Sequence, residues 1–150
     1  MEFCKGGDFH TVIERMGIRY EREAAKIINL VLEALHYAHI NNIVHGDVKS
    51  ENILLCWNQE TLDSIPSWNV KLADFGQAND FKEGEIISKD RVGSLYYAAP
   101  EKLNGSYSKE VDIWSLGVVL YFILCGQFPF EGDSIYGVSR KIQIATPNLT

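Results

Sequence analysis

The chain has 150 residues, 46% of them hydrophobic and 23% charged, which is typical of one ordinary globular domain and unlike a disordered or fibrous chain. Its formal charge of −6 argues against duplex nucleic acid or an anionic membrane as the main ligand. The longest apolar stretch, Ile113 to Cys125, is shorter than the ~20 residues that cross a bilayer, so we expect no membrane span.

Two helices are predicted in the first 40 residues. A short helix covers Phe9 to Met16 and closes at Gly17, because glycine favours a helix C-terminus. A longer helix covers Glu21 to Ile40, where apolar residues recur at steps of three and four. These residues are Ala24, Ile27, Ile28, Val31, Leu32, Leu35 and Ala38.

Short strands are predicted next, at Ile43–Val44, Asn52–Cys56 and Asn69–Leu72. Each of these apolar runs is too brief for a helix, so we expect small strands or bridges that frame loops. Residues Gln59 to Ser67 indicate a peripheral hairpin loop. The predicted fold class is therefore mainly α with small β-hairpins.

The strongest apolar helix is predicted to begin at Ser108, a good N-cap residue, and to close at Gly126. Glu110 and Asp112 lie in its first turn, where the helix dipole favours acids. Because apolar residues occupy every face of this helix, we expect it in the middle of the core, with other elements packed on every side. Ser134 is expected to cap one more short helix.

Metal and disulfide sites are not indicated. The three cysteines, Cys4, Cys56 and Cys125, are widely spaced and outside any C-x-x-C pair, so neither a disulfide framework nor a zinc site is supported. His36 and His39 have no third ligand nearby, which favours ordinary helix-surface histidines over a metal pair. With no secretion or import signal, we expect a cytoplasmic location, with the nucleus as the alternative.

Two loops carry the residues that phosphoryl transfer requires. Asp47 can accept the proton of an attacking hydroxyl, and Lys49 can offset negative charge on the moving phosphate. Asn52 and Asp74 give hard oxygen ligands suited to Mg²⁺. Catalysis of this kind is mostly positioning and neutralisation of charge, and these four residue types supply both.

The ordered motifs His45–Asn52, Asp74–Gly76 and Ala99–Glu101 resemble the eukaryotic protein kinase family over essentially the whole chain. Each motif alone occurs often by chance, so the interpretation depends on the set. Lys49 and the segment Gly93–Glu101 are similar to serine/threonine kinases. The calcium/calmodulin-regulated or calcium-dependent groups are the nearest in the segments Glu21–Ile28, Tyr107–Asp112 and Cys125–Phe130. The resemblance implies an enzyme that transfers the γ-phosphoryl of ATP to Ser or Thr hydroxyls of protein substrates, with Mg²⁺.

The resemblance also implies an ATP-binding set. Backbone groups of Glu2 and Cys4 are expected to bond adenine, Asp8 to reach the ribose, and Leu54 to form the apolar floor beneath adenine. Glu51 completes this set.

The activation and substrate segment is expected to include Ser88, Ser94 and Glu101, with the Ser94 hydroxyl bonded to Asp47 and Lys49. Gly46 stands where the family has an arginine, so a phosphate on this segment lacks its usual partner. We therefore expect Ser88→Ala to change activity less than twofold. The candidate modification sites are Ser88, Ser94, Tyr96 and Tyr97.

Two acids have structural roles by resemblance. Asp112 is expected to brace the catalytic loop, although a first-turn acid can also serve only the helix dipole. In the family, an arginine later in the sequence neutralises the acid at the position of Glu101, and this chain stops before that arginine. An unpaired buried carboxylate costs ~3–5 kcal/mol relative to a paired one.

The domain expected over residues 1–150 is a partial kinase domain, the large C-terminal lobe, incomplete at both ends and with the N-terminal lobe absent. The leading explanation for this incomplete domain is a truncated gene model or a partial transcript, and a regulatory domain or calcium sensor is implied elsewhere on the full-length chain. The alternatives to catalysis are an inactive binding module and a nonfunctional truncated product.

Overall fold

The computed structural model describes residues 3–16, 21–56, 69–82, 86–88 and 94–144. Within these ranges the chain is mainly helical with short strands, as predicted, and no helix there is long and apolar enough to cross a membrane. The helices are α1 Phe9–Met16, α2 Glu21–Ile40, α3 Pro100–Leu103, α4 Glu110–Cys125 and α5 Ile135–Gln143.

Short antiparallel strand pairs connect the helices. In the described residues β1 pairs with β4, β2 with β3, and β5 with β6. The strands are β1 Ile43–Val44, β2 Ile53–Leu55, β3 Val70–Leu72, β4 Asn79–Asp80, β5 Ile87–Ser88 and β6 Ser106–Tyr107. The three predicted strands are confirmed with shorter bounds: Asn52 belongs to a 3-10 turn, Ser50–Asn52, before β2, and Cys56 and Asn69 lie just outside β2 and β3. The predicted loop Gln59–Ser67 and the closing residue Gly17 lie outside the described residues.

Helix α2 forms one wall of the main core. Five residues of its predicted apolar face are buried, whereas Ile28 is half-buried and Leu32 remains 39% exposed. The buried five are Ala24, Ile27, Val31, Leu35 and Ala38. The first four of these share a hydrophobic cluster with α1, β2 and the inner face of α4, so the strand β2 that follows the candidate catalytic loop is anchored directly in the core.

The ends of α4 differ from the prediction at one terminus. The helix begins at Glu110, and the hydroxyl of Ser108 donates to the carboxylate of Glu110 instead of capping a backbone N–H. The C-terminus is as predicted: Gly126 has φ 71° and its N–H bonds the carbonyl of Phe122 at 2.9 Å. Only glycine adopts this left-handed conformation without strain, which explains why the helix stops there.

The expectation that α4 is surrounded on every side is wrong for this part of the chain. Half of the 16 residues of the helix are buried, but Ile113 is 48% exposed and Leu124 is 51% exposed. The predicted short helix is confirmed as α5, with Ser134 Oγ accepting the N–H of Gly137 at 3.1 Å.

Candidate active site

Asp47 lies at the centre of the loop between β1 and β2 and is 7% exposed. The ammonium of Lys49 bonds its Oδ2 at 2.9 Å, and the amide of Asn52 donates to its backbone carbonyl at 2.9 Å. The amide also approaches Oδ2 at 3.5 Å. Since backbone and side chain are both held, the carboxylate of Asp47 has a fixed direction before any ligand binds.

Ser94 joins this cluster from a distant part of the chain. Its hydroxyl lies 3.3 Å from the ammonium of Lys49, from which it accepts a hydrogen bond. The predicted bond from the hydroxyl to Asp47 is replaced by one from the backbone N–H of Ser94 to Asp47 Oδ1, at 3.4 Å. The segment expected to dock substrates thus reaches the expected catalytic carboxylate.

Asp74 follows β3 on a neighbouring loop. Its backbone is left-handed, with φ 60° and ψ 69°, and its Oδ1 accepts the N–H of Gly76 at 3.2 Å. Non-glycine residues seldom adopt this conformation, and they do so mostly at functional turns. The N–H of Ala73 donates to the carbonyl of Asn52 at 2.8 Å, which ties this loop to the first one.

His45 is fully buried and connects the two loops. Its Nε2 donates to the carbonyl of Ala73 at 3.0 Å, because a carbonyl can only accept, and its Nδ1 then accepts the N–H of Asp47 at 3.2 Å. The ring of Phe75 meets the imidazole edge-on, with centroids 4.6 Å apart. These contacts fix one tautomer and one ring orientation behind Asp47.

Asp112, at the start of α4, is 1% exposed and supports the loop that carries Asp47. Its carboxylate accepts the backbone N–H groups of His45 and Gly46, both at 2.8 Å. The Nε2 of His39 lies 2.8 Å from the same carboxylate. His39 is therefore no ordinary surface histidine, in contrast to the sequence-based interpretation, because α2 turns it toward α4.

Lys102 is a site residue that the sequence did not indicate. It is 6% exposed, and its ammonium donates to the carbonyl of Gly46, directly before Asp47. Burial lowers the pKa of Lys102, and the nearby carboxylates of Asp47 and Asp112 oppose this shift. Because α3 has only four residues, no periodic pattern could mark this lysine as buried.

The buried residues Tyr97 and Ser50 form a second hydrogen-bond network with the exposed Glu51, and this network was not predicted. The Tyr97 hydroxyl lies 2.7 Å from Ser50 Oγ and donates to the Glu51 carboxylate at 3.1 Å, and Ser50 Oγ also contacts His10 Nδ1 at 2.9 Å. Burial, followed by the charge of Glu51, raises the pKa of Tyr97. Since Tyr97 is 4% exposed, it is not accessible as a modification site in this fold, in contrast to the expectation.

Two residues of the expected ATP-binding set meet at one bridge, where Asp8 pairs with Leu54 of β2. The carboxylate of Asp8 caps α1, because Thr11 donates to it from its N–H at 2.8 Å and from its hydroxyl at 2.9 Å. Burial alone would raise the pKa of Asp8, but these hydrogen bonds lower it overall. Cys4 is half-buried on the same segment, and Glu2 lies outside the described residues.

Two residues of the expected substrate segment lie apart from this cluster. Glu101 is half-buried in α3, and none of the described cations forms an ion pair with it, so the expected fully buried carboxylate is not observed. The backbone of Ser88 lies in β5, but its side chain is outside the described part.

The donor set fits Mg²⁺ in chemical type. Among the described residues, none donates a hydrogen bond to Asn52 Oδ1 or Asp74 Oδ2, so both oxygens retain coordination capacity. The Asn52 amide nitrogen is already used by Asp47, which leaves its carbonyl oxygen on the other side. Carboxylate and amide oxygens are ligands that Mg²⁺ prefers.

A comparison with protein families matches residues 1–147 to the protein kinase domain. The chain is 42% identical over 142 residues to calcium-dependent protein kinase 2 of Oryza sativa subsp. japonica, which covers 95% of this chain. It is 41% identical over 148 residues to the carbon catabolite-derepressing protein kinase of Secale cereale, covering 97%. Serine/threonine protein kinase OSK3 of Oryza sativa subsp. indica is 41% identical over 145 residues, covering 95%.

The chain spans about a quarter of the length of the curated relatives that it matches, between 26% and 28% for these three. The resemblance to serine/threonine kinases, with calcium-dependent kinases among the relatives, is confirmed by these matches.

Proposed function

The chain belongs to the protein kinase domain family, and from this premise we propose that it supplies the phosphoryl-transfer machinery of a serine/threonine protein kinase. We assign residues 1–150 to the large, C-terminal lobe of that domain. The reaction is transfer of the γ-phosphoryl of ATP to a Ser or Thr hydroxyl of a protein substrate.

One observation supports this proposal above the others: the fixed cluster of Asp47, Lys49 and Asn52 faces the backbone N–H and hydroxyl of Ser94. A buried carboxylate beside a cation, reached by a segment from elsewhere in the chain, is suited to orient a substrate hydroxyl. A loop built only for packing would not need this charged pair.

The chemical step follows from the position of these groups. The substrate hydroxyl oxygen forms a bond to the γ-phosphorus, the bond from this phosphorus to the ADP oxygen breaks, and the hydroxyl proton passes to Asp47. The ammonium of Lys49 lies 2.9 Å from the Asp47 carboxylate and is therefore beside the position of the substrate hydroxyl. From there Lys49 stabilises negative charge on the transferred phosphoryl group. His45, Gly46 and Asp112 keep the loop in place and touch no reactant.

Asn52 and Asp74 would hold Mg²⁺ through their side-chain oxygens. When bound, the cation neutralises charge on the phosphate oxygens of ATP. Cys4 and Leu54 would contact adenine, with Glu2 as a further backbone partner. Asp8 would approach the ribose while it caps α1, and Glu51 would stay beside Tyr97 at the rim of the site.

A calcium sensor elsewhere on the full-length protein is part of this proposal, since the relatives include kinases named as calcium-dependent. Nothing in the catalytic cluster requires calcium for the chemical step itself.

The proposal is tested with the full-length protein, radiolabelled ATP and a general protein substrate, followed by phosphoamino-acid analysis. We expect phosphoserine or phosphothreonine that requires Mg²⁺ and disappears in Asp74→Asn. The control is Asp133→Asn, an exposed acid that should change activity less than twofold. Substrate binding without transfer, unaffected by Asp74→Asn or by a chelator, would establish the binding-module alternative instead.

A further inference from the structure

Two cysteines that are far apart in the sequence lie side by side in the fold. The thiol sulfurs of Cys4 and Cys56 are 2.8 Å apart, and both side chains are half-buried. The third cysteine, Cys125, is exposed at the end of α4. The sequence spacing that argued against a disulfide could not reveal this contact.

The contact does not depend on side chains alone, because backbone hydrogen bonds hold the two segments together. The N–H of Gly6 donates to the carbonyl of Leu55 at 2.9 Å, and the N–H of Leu55 donates to the carbonyl of Gly7 at 2.9 Å. A Cβ added at Gly6 would lie 2.5 Å from the Leu55 oxygen, so only glycine permits this approach. The Cys4 segment is thereby fixed against β2.

Cys56 is held equally well on its other side. Its N–H donates to the carbonyl of Asn69 at 2.8 Å, which extends the pairing of β2 with β3 by one residue. Cys56 therefore sits on paired backbone, and Cys4 lies two residues before the paired Gly6. A covalent bond between the two thiols requires side-chain rotation and little movement of the chain.

From this arrangement we propose that Cys4 and Cys56 are a modification site, oxidised by a peroxide to a reversible intramolecular disulfide. One thiolate attacks the peroxide and becomes a sulfenic acid, releasing water after proton transfer. The second thiolate attacks this sulfur, the S–O bond breaks, and a second water leaves. Two thiols and one H₂O₂ thus yield one disulfide and two waters.

The disulfide would join the N-terminal segment to β2 beside Leu54 and Asp8. Because Cys4 and Leu54 are proposed adenine contacts, oxidation would also fix their separation and change the KM for ATP. This last consequence rests on the proposed function. Formation of the bond does not, since it is measured without any activity.

The test uses the full-length protein, treated with hydrogen peroxide at one to ten equivalents, blocked with N-ethylmaleimide, and mapped by mass spectrometry under non-reducing conditions. We expect a linked peptide pair containing Cys4 and Cys56, two hydrogens lighter than the separate peptides and lost on reduction. Cys125 should remain open to alkylation. Cys4→Ser and Cys56→Ser should each abolish the linked pair, whereas Cys125→Ser should retain it.

A stability measurement gives a second readout. Closing a loop of this length should raise the Tm of the oxidised protein by about 5 °C or more over the reduced form, and Cys4→Ser should show no such rise. The proposal is overturned if Cys4 and Cys56 are alkylated separately after peroxide, oxidised to sulfinic acid without linkage, or linked only to Cys125 of another copy. Absence of kinase activity would overturn the proposed function and leave this result untouched.

Discussion

Tyr97 shows how one hydroxyl joins two parts of the site. It follows Ser94 in the chain and connects that segment to Ser50 and Glu51 of the catalytic loop. Because burial disfavours the phenolate, the pKa of Tyr97 is raised above its ordinary value near 10. Above pH 10 the unfolded chain releases this proton while the folded chain keeps it, so the stability contributed by Tyr97 falls as pH rises.

Tyr97→Phe should therefore destabilise the protein by about 1–3 kcal/mol at pH 7, because the partners of the hydroxyl lose a buried hydrogen bond. The difference from the wild type should narrow as the pH rises above 10. Thermal unfolding of both proteins between pH 7 and 11 measures this. Tyr96→Phe, at an exposed neighbour, should change little, and a gap of constant size up to pH 11 would contradict the account.

Lys102 is a lysine, a residue type that is usually exposed, yet it is only 6% exposed. Its ammonium bonds the carbonyl of Gly46, so it supports the loop at the point where the family places an arginine. From Gly46 we predict that a phosphate on the activation segment lacks its usual partner. The sequence does not show that a lysine from α3 contacts the same loop.

Lys102→Met should cost about 1–3 kcal/mol of stability, because methionine fills the space but leaves the Gly46 carbonyl without its donor. We also expect kcat to fall about tenfold or more, since the residue next to Gly46 is Asp47 and small misplacement is expensive in catalysis. Unfolding and steady-state kinetics check both effects. Lys26→Met, at an exposed position of α2, is the control, and equal behaviour of the two variants would refute the role.

At the scale of elements, α4 positions the catalytic loop through its first turn. Asp112 accepts two backbone N–H groups of the loop, while Glu110, two positions earlier on the exposed side, accepts a hydrogen bond from the hydroxyl of Ser108. Both acids lie in the first turn of α4, so both interact with the helix dipole. Comparing substitutions of the two therefore distinguishes support of the loop by Asp112 from a simple effect on the helix dipole.

Asp112→Asn should destabilise the protein by about 1.5–3 kcal/mol, because the amide NH₂ cannot accept the second backbone N–H. Glu110→Gln should cost no more than about 1 kcal/mol, the size of a dipole effect. Denaturant unfolding of the two variants gives the comparison. Equal losses would mean that Asp112 only complements the helix dipole.

Long helices are easier to predict from the sequence than short strands, because a longer segment shows more of its apolar pattern. The 20 residues of α2 show a clear apolar period, and its buried face follows it. The two-residue strands β4 and β6 contain polar residues and show no apolar run, whereas the equally short β1 is an apolar pair and was predicted. The start of α4 was misplaced because the hydroxyl of Ser108 prefers the carboxylate of Glu110 to a backbone donor.

At the scale of the molecule, the site brings together segments that are distant along the chain. Asp47, Asn52 and Asp74 were predicted because phosphoryl transfer requires these residue types at this spacing. Of the residues that support this loop, Asp112 was expected from the resemblance, whereas His39 and Lys102 were missed because they reach the loop only through the packing of helices. Cys4 and Cys56 show the same limit, because their contact depends on the pairing of segments 52 residues apart.

The central claim is that Asp47 orients the substrate hydroxyl and accepts its proton, and one measurement tests it most directly. Steady-state phosphorylation by the full-length protein is compared for the wild type, Asp47→Asn, and Asp80→Asn at an exposed position of β4. We predict a kcat lower by about 10²–10⁴-fold for Asp47→Asn, with the KM for ATP little changed and Asp80→Asn normal. A kcat for Asp47→Asn within threefold of the wild type would contradict the account.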